Sequence, residues 1–215
     1  MARLKVAVLI SGRGSNLQAL IDADMATVDL ALVISNIGEA PGLTRAEKAG
    51  IPTAIIAHKD HTDRQAFDAA MTEAIETAGA DLVCLAGFMR LLSDEFVDHW
   101  RDRLINIHPS LLPAFKGLDV QQRAIDRGVR FSGCTVHYVR REMDTGPIII
   151  QAAVPILPGD DADTLSARIL LEEHRIYPLA VQWIAEGRVR IQQERVLVDG
   201  AGTADAALVN PSDAG

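Results

Sequence analysis

The sequence predicts an α/β fold: a mostly parallel sheet with helices on both faces, followed by an antiparallel strand pair in the C-terminal half. Three observations support this class. Short apolar runs alternate with stretches of helical periodicity through the first half of the chain. Those runs are apolar at successive positions, as in parallel strands covered on both faces. In the second half, two apolar runs are separated by only a short loop, which favours antiparallel pairing.

Cap and turn residues set the bounds of the predicted elements. Asp63 is expected to cap a helix over 63–79 that stops at Gly79, and Ser93 to begin a helix over 93–102. Pro178 lies inside a helix over 164–186 and is expected to kink it or break it after Tyr177. Two further helices are predicted over 15–23 and 41–49. The predicted strands, which together indicate a Rossmann-like sheet, are 4–10, 29–35, 53–57, 81–87, 104–108, 132–139 and 147–157, with "RVRIQ" (188–192) as a last edge strand.

Length and composition indicate a single domain. The chain has 215 residues, 48% of them hydrophobic, which is enough for one substantial core. No internal repeat, linker or second core is visible in the sequence. We therefore expect one domain over 1–198 and a loose, glycine-rich polar tail over 199–215.

Charge and cysteine usage exclude several classes of partner. The net charge of −8, from 29 acidic and 21 basic residues, argues against nucleic acid and anionic membrane surfaces. No apolar run approaches the ~18 residues of a membrane span, and the N-terminus has the pattern of a first strand rather than a signal peptide. Cys84 and Cys134 lie in apolar strands without metal-site spacing, which predicts buried free thiols and a cytoplasmic protein.

The stretch "LISGRGSNL" (9–17) predicts a phosphate site. A strand leads into Gly12-x-Gly14 and then into a helix opened by Ser15 and Asn16, whose free N–H groups and partial positive charge suit an anion. Leu17 stands where a dinucleotide fingerprint has its third glycine, so a smaller phosphorylated ligand is favoured over NAD. An ordinary strand-to-helix turn would also accept these residues, and motif chemistry alone leaves both interpretations open.

The stretch "INIHPSLLP" (105–113) ends a strand with two polar side chains on one side. Asn106 and His108 are two residues apart, so both point toward the same space at the carboxyl end of the strand, where α/β folds bind ligands. Asp144, in the turn "DTGP", could orient the histidine. The structural alternatives are a buried histidine satisfied by the core and an aspartate bonded to its own turn.

Other polar residues carry weaker signals. His58 and His61 resemble a metal pair, but no third ligand has suitable spacing, so no metal is predicted. His137 lies within a strand, where a histidine either packs or contacts catalytic groups. Arg64 and Arg90 lie near strand ends, where each could bind a carboxylate or form a surface pair.

Five motifs together resemble a known family. "SGRGSNL", "LAGFMRLL", "INIHPSLLP", "GCTVHYV" and "DTGPIIIQ", in this order and spacing, are similar to the phosphoribosylglycinamide formyltransferases of purine biosynthesis. The resemblance runs from about residue 5 to about residue 190. "NIHPSLLP" with a downstream Asp-x-Gly-Pro is typical of the wider folate-dependent formyltransferase superfamily, and "SGRGSNL" narrows the likeness to the glycinamide ribonucleotide branch.

The resemblance implies a reaction and its catalytic residues. A formyl group would pass from 10-formyltetrahydrofolate, as co-substrate, to the amine of glycinamide ribonucleotide without a metal. Asn106 and protonated His108 would stabilise the tetrahedral oxyanion, and Asp144 would support the histidine in its cationic form. A water near Asp144, bonded by Thr135, would carry the proton. These two small molecules are the implied partners, and the protein would be a monomer or a homodimer.

The resemblance also implies binding residues. In one departure, Asp119 and Gln121 stand where many relatives carry histidines, which could alter loop motion or affinity. The ribonucleotide would be held by Gly14, Ser15, Asn16 and Glu173, and the folate by Arg64, Met89, Arg90, Leu91, Leu92, Asn106, Arg140, Arg141, Glu142, Met143 and Asp144.

Two alternative functions use the same motifs. A formyltetrahydrofolate hydrolase would pass the formyl group to water; such enzymes usually carry an extra N-terminal regulatory domain, whereas this sequence starts at the first predicted strand. A catalytically silent nucleotide-binding module would have no need for Asn106, His108 and Asp144 together.

Overall fold

A seven-stranded sheet forms the centre of the fold. The computed structural model describes residues 2–203 and 206–211. The strands are β1 (Leu4–Ile10), β2 (Val28–Ser35), β3 (Thr53–Ile55), β4 (Leu82–Leu85), β5 (Leu104–His108), β6 (Phe131–Tyr138) and β7 (Ile148–Pro155). They lie in the order β3-β2-β1-β4-β5-β6-β7; the first five pair in parallel, and β6 pairs antiparallel with both β5 and β7. The predicted parallel sheet and antiparallel pair are thus confirmed.

Helices cover both faces of this sheet. Asp63 and Ser93 cap their helices as predicted, because their side chains accept hydrogen bonds from the backbone N–H groups three residues later. A 3₁₀ helix at His58–Asp60 precedes the third helix. The α-helices are α1 (Ser15–Asp22), α2 (Pro41–Lys48), α3 (Arg64–Thr77), α4 (Asp94–His99), α5 (Val120–Asp126) and α6 (Ala162–Ala185).

The apolar strands contribute to two cores at once. In β1, Val6 and Val8 pack into a cluster with α1, α2 and α6, whereas Ala7 and Leu9 pack into a second cluster with α3 and α4. All four side chains are fully buried. Successive side chains of a strand point to opposite faces, so a strand covered on both faces is apolar throughout.

The expected break at Pro178 does not occur, because α6 continues from Ala162 to Ala185 with the proline inside it. Proline removes one backbone N–H donor from a helix. Here Tyr177, Ala180 and Val181 on either side of it are fully buried in the first core cluster, and their packing stabilises the helix on both sides of the proline.

The C-terminal region differs from the sequence prediction in two respects. "RVRIQ" does form a strand, β8 (Val189–Gln192), but this strand is not an edge of the main sheet. It pairs with β9 (Arg195–Val198), which the sequence analysis missed, in a separate antiparallel hairpin. Helix α5 was also not predicted.

The predicted tail lies partly outside the described residues, which omit 204, 205 and 212–215. Residues 199–203 and 206–211 form no helix or strand. The Asn210 amide donates to the backbone oxygens of Arg130 and Ile156, so this part of the chain contacts the end of β7. One domain over 1–198 with a loose tail stays a prediction. No helix within the described ranges is both long enough and apolar enough to cross a bilayer.

Gly146 tests the packing at the β6–β7 connection. A Cβ at this position would lie 1.6 Å from the Tyr138 carbonyl oxygen, so Gly146→Ala must push two backbone segments apart. We expect the free energy of unfolding in urea to fall by about 2–3 kcal/mol. Gly38→Ala is the control, because its Cβ would meet only Ile55 at 3.9 Å. Equal stability of the two variants would contradict this account.

Candidate active site

The ends of three neighbouring parallel strands define the candidate site. β1, β4 and β5 are adjacent, and the strand order reverses between β1 and β4, since β2 and β3 lie on one side and β4 to β7 on the other. Ligands of open α/β sheets bind at the carboxyl ends of the strands beside such a reversal. The glycine loop (Gly12–Gly14) follows β1, the segment 86–93 follows β4, and His108 ends β5.

His108 lies between one hydrogen-bond acceptor and one carboxylate. Its side chain is almost fully buried, and Nε2 lies 3.1 Å from the Phe115 carbonyl oxygen. A carbonyl oxygen only accepts, so Nε2 carries a proton in this bond. Nδ1 faces Asp144 Oδ2 at 3.7 Å, which is too long for a hydrogen bond but close enough for strong attraction when the imidazole is cationic.

Asn106 is oriented by His137, the residue opposite it in β6. Burial lowers the pKa of His137, although the Tyr138 carbonyl and Asp144 act in the opposite direction, so the ring is neutral at pH 7. Nδ1–H donates to the Tyr138 carbonyl at 2.9 Å, which leaves Nε2 to accept from the Asn106 amide at 3.3 Å. The amide nitrogen is thus identified, and its second N–H remains for a ligand.

Asp144 connects two loops above β5. Its backbone has φ 54°, a left-handed conformation that aspartate tolerates better than most residues. Oδ2 accepts the Gly117 N–H at 2.9 Å, which joins the loop after β5 to the loop between β6 and β7. Its side chain is only 9% exposed, and Oδ1 lies 4.0 Å from His137 Nε2. Asn106, His108 and Asp144 therefore come together around one space, with His137 beside them.

Thr135 does not have the role suggested for it. Its hydroxyl donates to the Ser110 carbonyl at 2.7 Å and accepts from the Leu112 N–H and the Gln151 amide. The residue is fully buried, and these three bonds use all the capacity of a hydroxyl. The expectation that Thr135 binds a catalytic water is therefore wrong.

The glycine loop leads into helix α1, which contacts helix α6. Gly14 is the N-cap of α1, with φ 68° and no side chain to use the N–H groups of the first turn. The Asn16 amide donates to Glu173 Oε2 at 2.7 Å across 157 positions of sequence. Both side chains are buried, and Asn16 Oδ1 has no hydrogen-bond partner within residues 2–203 and 206–211. The four predicted ribonucleotide residues thus lie together.

The residues predicted to bind folate divide into two groups. Arg64, Met89, Arg90 and Leu91 are exposed near the end of β4, and Leu92 is half-buried. Arg140 donates to Asp102 and Glu194 instead, at the amino end of β5, so its guanidinium points away from His108. Likewise, Arg141 is bound to Asp98, and Glu142 and Met143 are exposed. For residues 140–143, the backbone is therefore the part near Asp144.

Residues that suggested other chemistry lie elsewhere. His58 and His61 each contact the ring of Phe67, and no group of three or more metal-ligating side chains occurs among the described residues. Asp119 is the exposed N-cap of α5, with φ 54°. The Phe115 carbonyl is a contact that the sequence did not indicate. For His137 the sequence left packing and contact with a catalytic group open, and its position opposite Asn106 in the sheet shows the contact.

Comparisons with known proteins identify the family of the chain. The family model described as formyl transferase matches residues 4–181. The protein is therefore a member of the formyl transferase family by sequence. Phosphoribosylglycinamide formyltransferase of Escherichia coli (strain K12) is 44% identical over 92% of this chain and 94% of that protein. Within the family, the chain belongs with the phosphoribosylglycinamide formyltransferases, as the resemblance predicted.

Three further proteins are similar to the chain over different shares of their own length. The trifunctional purine biosynthetic protein adenosine-3 of Drosophila pseudoobscura pseudoobscura is 56% identical over 87% of this chain, but the chain spans only 14% of that protein. The structure of glycinamide ribonucleotide transformylase 1 from Symbiobacterium toebii has a TM-score of 0.89 at 48% identity, covering 91% of this chain and 94% of that one. A formyltetrahydrofolate deformylase from Burkholderia mallei has a TM-score of 0.83 at 32% identity, covering 92% of this chain and 70% of that one.

Glu173 provides a test of the cost of a buried carboxylate. Burial raises the pKa of Glu173 above the ordinary 4.5, and the Asn16 bond only partly opposes this. The folded chain then holds the proton more tightly than the unfolded chain, so stability is lost as the pH rises through the folded pKa. We expect Glu173→Gln to raise the free energy of unfolding at pH 7 by on the order of 1 kcal/mol, because the amide avoids the cost of burying a charge.

The gain should shrink toward pH 4, where the glutamate is itself protonated. Urea unfolding of both proteins at pH 7 and pH 4 measures this difference in the free energy of unfolding. Glu172→Gln is the matched control, since Glu172 pairs with Arg175 on the outer side of α6 and should gain nothing. A Glu173→Gln protein that is less stable than the wild type at pH 7 would contradict this account.

Proposed function

We propose that the protein transfers the formyl group of 10-formyltetrahydrofolate to the amine of glycinamide ribonucleotide. The observation that carries the proposal is the convergence of an amide, an imidazole and a carboxylate at Asn106, His108 and Asp144, beside a helix N-terminus suited to phosphate. Membership of the phosphoribosylglycinamide formyltransferase branch supports the same substrates.

The reaction begins with attack of the amine nitrogen on the formyl carbon. A C–N bond forms, the carbonyl π electrons move to oxygen, and a tetrahedral oxyanion results. Asn106 Nδ2–H and the imidazolium of His108 donate to this oxygen. Donation by His108 Nε2 would replace its bond to the Phe115 carbonyl, so the loop after β5 adjusts when the substrates bind.

Collapse of this intermediate breaks the bond between the formyl carbon and the folate nitrogen. The attacking amine loses one proton and the departing nitrogen gains one, so the protonation of the enzyme is unchanged over the cycle. Asp144 stabilises the cationic imidazole at 3.7 Å and lies close enough to hold the water that relays the proton. Because the Thr135 hydroxyl already makes three hydrogen bonds, that water is held by Asp144 and the substrates.

Each of the two substrates contacts one of the two loops at the strand ends. The phosphate accepts hydrogen bonds from the first turn of α1 at Gly14, Ser15 and Asn16, and Glu173 accepts from the remainder of the ribonucleotide. The folate lies along Met89–Leu92 and the backbone of 140–144. The proposal requires no metal. We also propose a monomer or homodimer in the reducing cytoplasm, consistent with two buried free cysteines.

The alternative is a formyltetrahydrofolate hydrolase, in which water takes the place of the amine. The similarity to a formyltetrahydrofolate deformylase favours its consideration. The test is to mix the protein with 10-formyltetrahydrofolate, with and without glycinamide ribonucleotide, and to follow tetrahydrofolate by absorbance. We expect release only when the ribonucleotide is present, together with one formylated product per folate. Equal release without it would establish the hydrolase instead.

His108 tests the catalytic assignment. His108→Ala removes a donor to the oxyanion, and we expect kcat to fall by at least ~10²-fold while the circular dichroism spectrum is unchanged. His99→Ala is the control, because His99 is exposed on α4 and pairs with Glu76. If His108→Ala turned over as fast as His99→Ala, His108 would have no part in the mechanism.

A further inference from the structure

The folate segment, Met89–Leu92, has an irregular backbone held at both sides by the core. Phe88 precedes it, is 9% exposed and stacks on Phe67 of α3 with ring centroids 6.4 Å apart. Leu92 packs against the same cluster. Between these contacts, Met89 and Leu91 are 67% and 65% exposed, so their side chains provide little to fix the backbone.

Two side-chain oxygens hold the backbone at the ends of this segment. Ser11 Oγ accepts the Met89 N–H at 2.8 Å, and Asp68 Oδ2 accepts the Ser93 N–H at 2.5 Å. Both acceptors come from other elements: Ser11 follows β1, and Asp68 lies on α3. The two bonds therefore fix both ends of the segment and limit how far the backbone between them can move.

Ser11 is itself fixed on three sides. Its hydroxyl donates to Asn36 Oδ1 at 2.6 Å, which leaves the oxygen lone pairs directed at Met89. Its own N–H donates to the Gly87 carbonyl at 3.2 Å. The next residue begins the glycine loop. Ser11 thus joins the backbone of the proposed phosphate site to the backbone of the folate segment, at the reversal of strand order.

Burying the Asp68 carboxylate to accept a backbone N–H costs free energy of folding. The residue is 2% exposed, and Oδ1 has no hydrogen-bond partner in the part of the chain that the structure describes. Burial raises its pKa, against the opposing effects of the Ser93 hydrogen bonds and of Arg64. Ser93 caps α4 through its own hydroxyl, so Asp68 fixes the point at which the segment passes into the helix. A role in holding the preceding segment explains its presence.

We propose that Ser11 and Asp68 are positioning residues for the formyl donor. They fix the backbone of Met89–Leu92 in the shape that receives the flat folate ring, and Ser11 also sets its position relative to the glycine loop. The inference rests on the proposed function, because it takes this segment as the folate site. A rigid backbone binds with a smaller loss of conformational entropy, so the effect falls on substrate affinity rather than on the chemical step.

The experiment compares Asp68→Ala, Asp68→Asn and Ser11→Ala by steady-state kinetics and by calorimetric titration of tetrahydrofolate. For Asp68→Ala we expect KM for the formyl donor to rise about tenfold, while kcat and KM for the ribonucleotide stay within about twofold. Asp68→Asn should restore most of the affinity, because an amide oxygen still accepts the Ser93 N–H. Ser11→Ala should raise both KM values, since it releases both loops.

Matched controls separate positioning from general loss of stability. Asp161→Ala removes a carboxylate that accepts a backbone N–H at the start of α6, and Ser166→Ala removes a hydroxyl from the same helix. Neither should alter KM for the formyl donor.

The outcomes distinguish this inference from the function on which it rests. An active wild type whose Ser11→Ala variant keeps both KM values would overturn the inference alone, even if Asp68→Ala failed to fold. A wild type with no ribonucleotide-dependent turnover and no tetrahydrofolate binding would overturn the proposed function as well.

Discussion

The antiparallel register between β5 and β6 determines the geometry of the whole candidate site. It places Asn106 opposite His137 and His108 opposite Thr135. A shift of one residue would turn Asn106 and His108 to the other face of the sheet, away from Asp144. The register is fixed in turn by Ile105 and Ile107, which alternate with the two polar residues, are buried and must face the core. The packing of the apolar side chains thus determines the face of the sheet to which the polar side chains point.

The reversal of strand order between β1 and β4 determines where the two proposed substrate loops lie. Because these strands are neighbours, Ser11 and Gly87 are hydrogen-bonded directly, and the loops that follow them leave side by side. One loop offers a helix N-terminus that Gly14 caps without a side chain, and the other offers exposed apolar surface at Met89 and Leu91. A phosphorylated substrate and a flat co-substrate can therefore meet near His108 without any large change in the sheet.

Local patterns in the sequence predict most of this fold, and contacts between distant residues account for what they miss. Strand periodicity and the caps at Asp63 and Ser93 are local, and they were predicted correctly. Pro178 does not break α6, because packing of the helix against the sheet outweighs the loss of one helical hydrogen bond. The partners that saturate Thr135 and the Asn16–Glu173 bond depend on tertiary contacts, which no spacing rule gives. The motifs suggested which residues meet, but not that His137 serves as a neutral acceptor.

Three buried polar side chains lower the stability of the fold. Glu173 and Asp68 both lie out of water with raised pKa values, and Asn16 and Asp68 each leave one buried oxygen without a partner in the described chain. Burying such groups costs free energy, and an oxygen without a partner adds to that cost. All three side chains border the two proposed substrate loops. Their distribution is what a binding site requires: polar atoms held rigid and dry before the substrate arrives, at the expense of the fold that carries them.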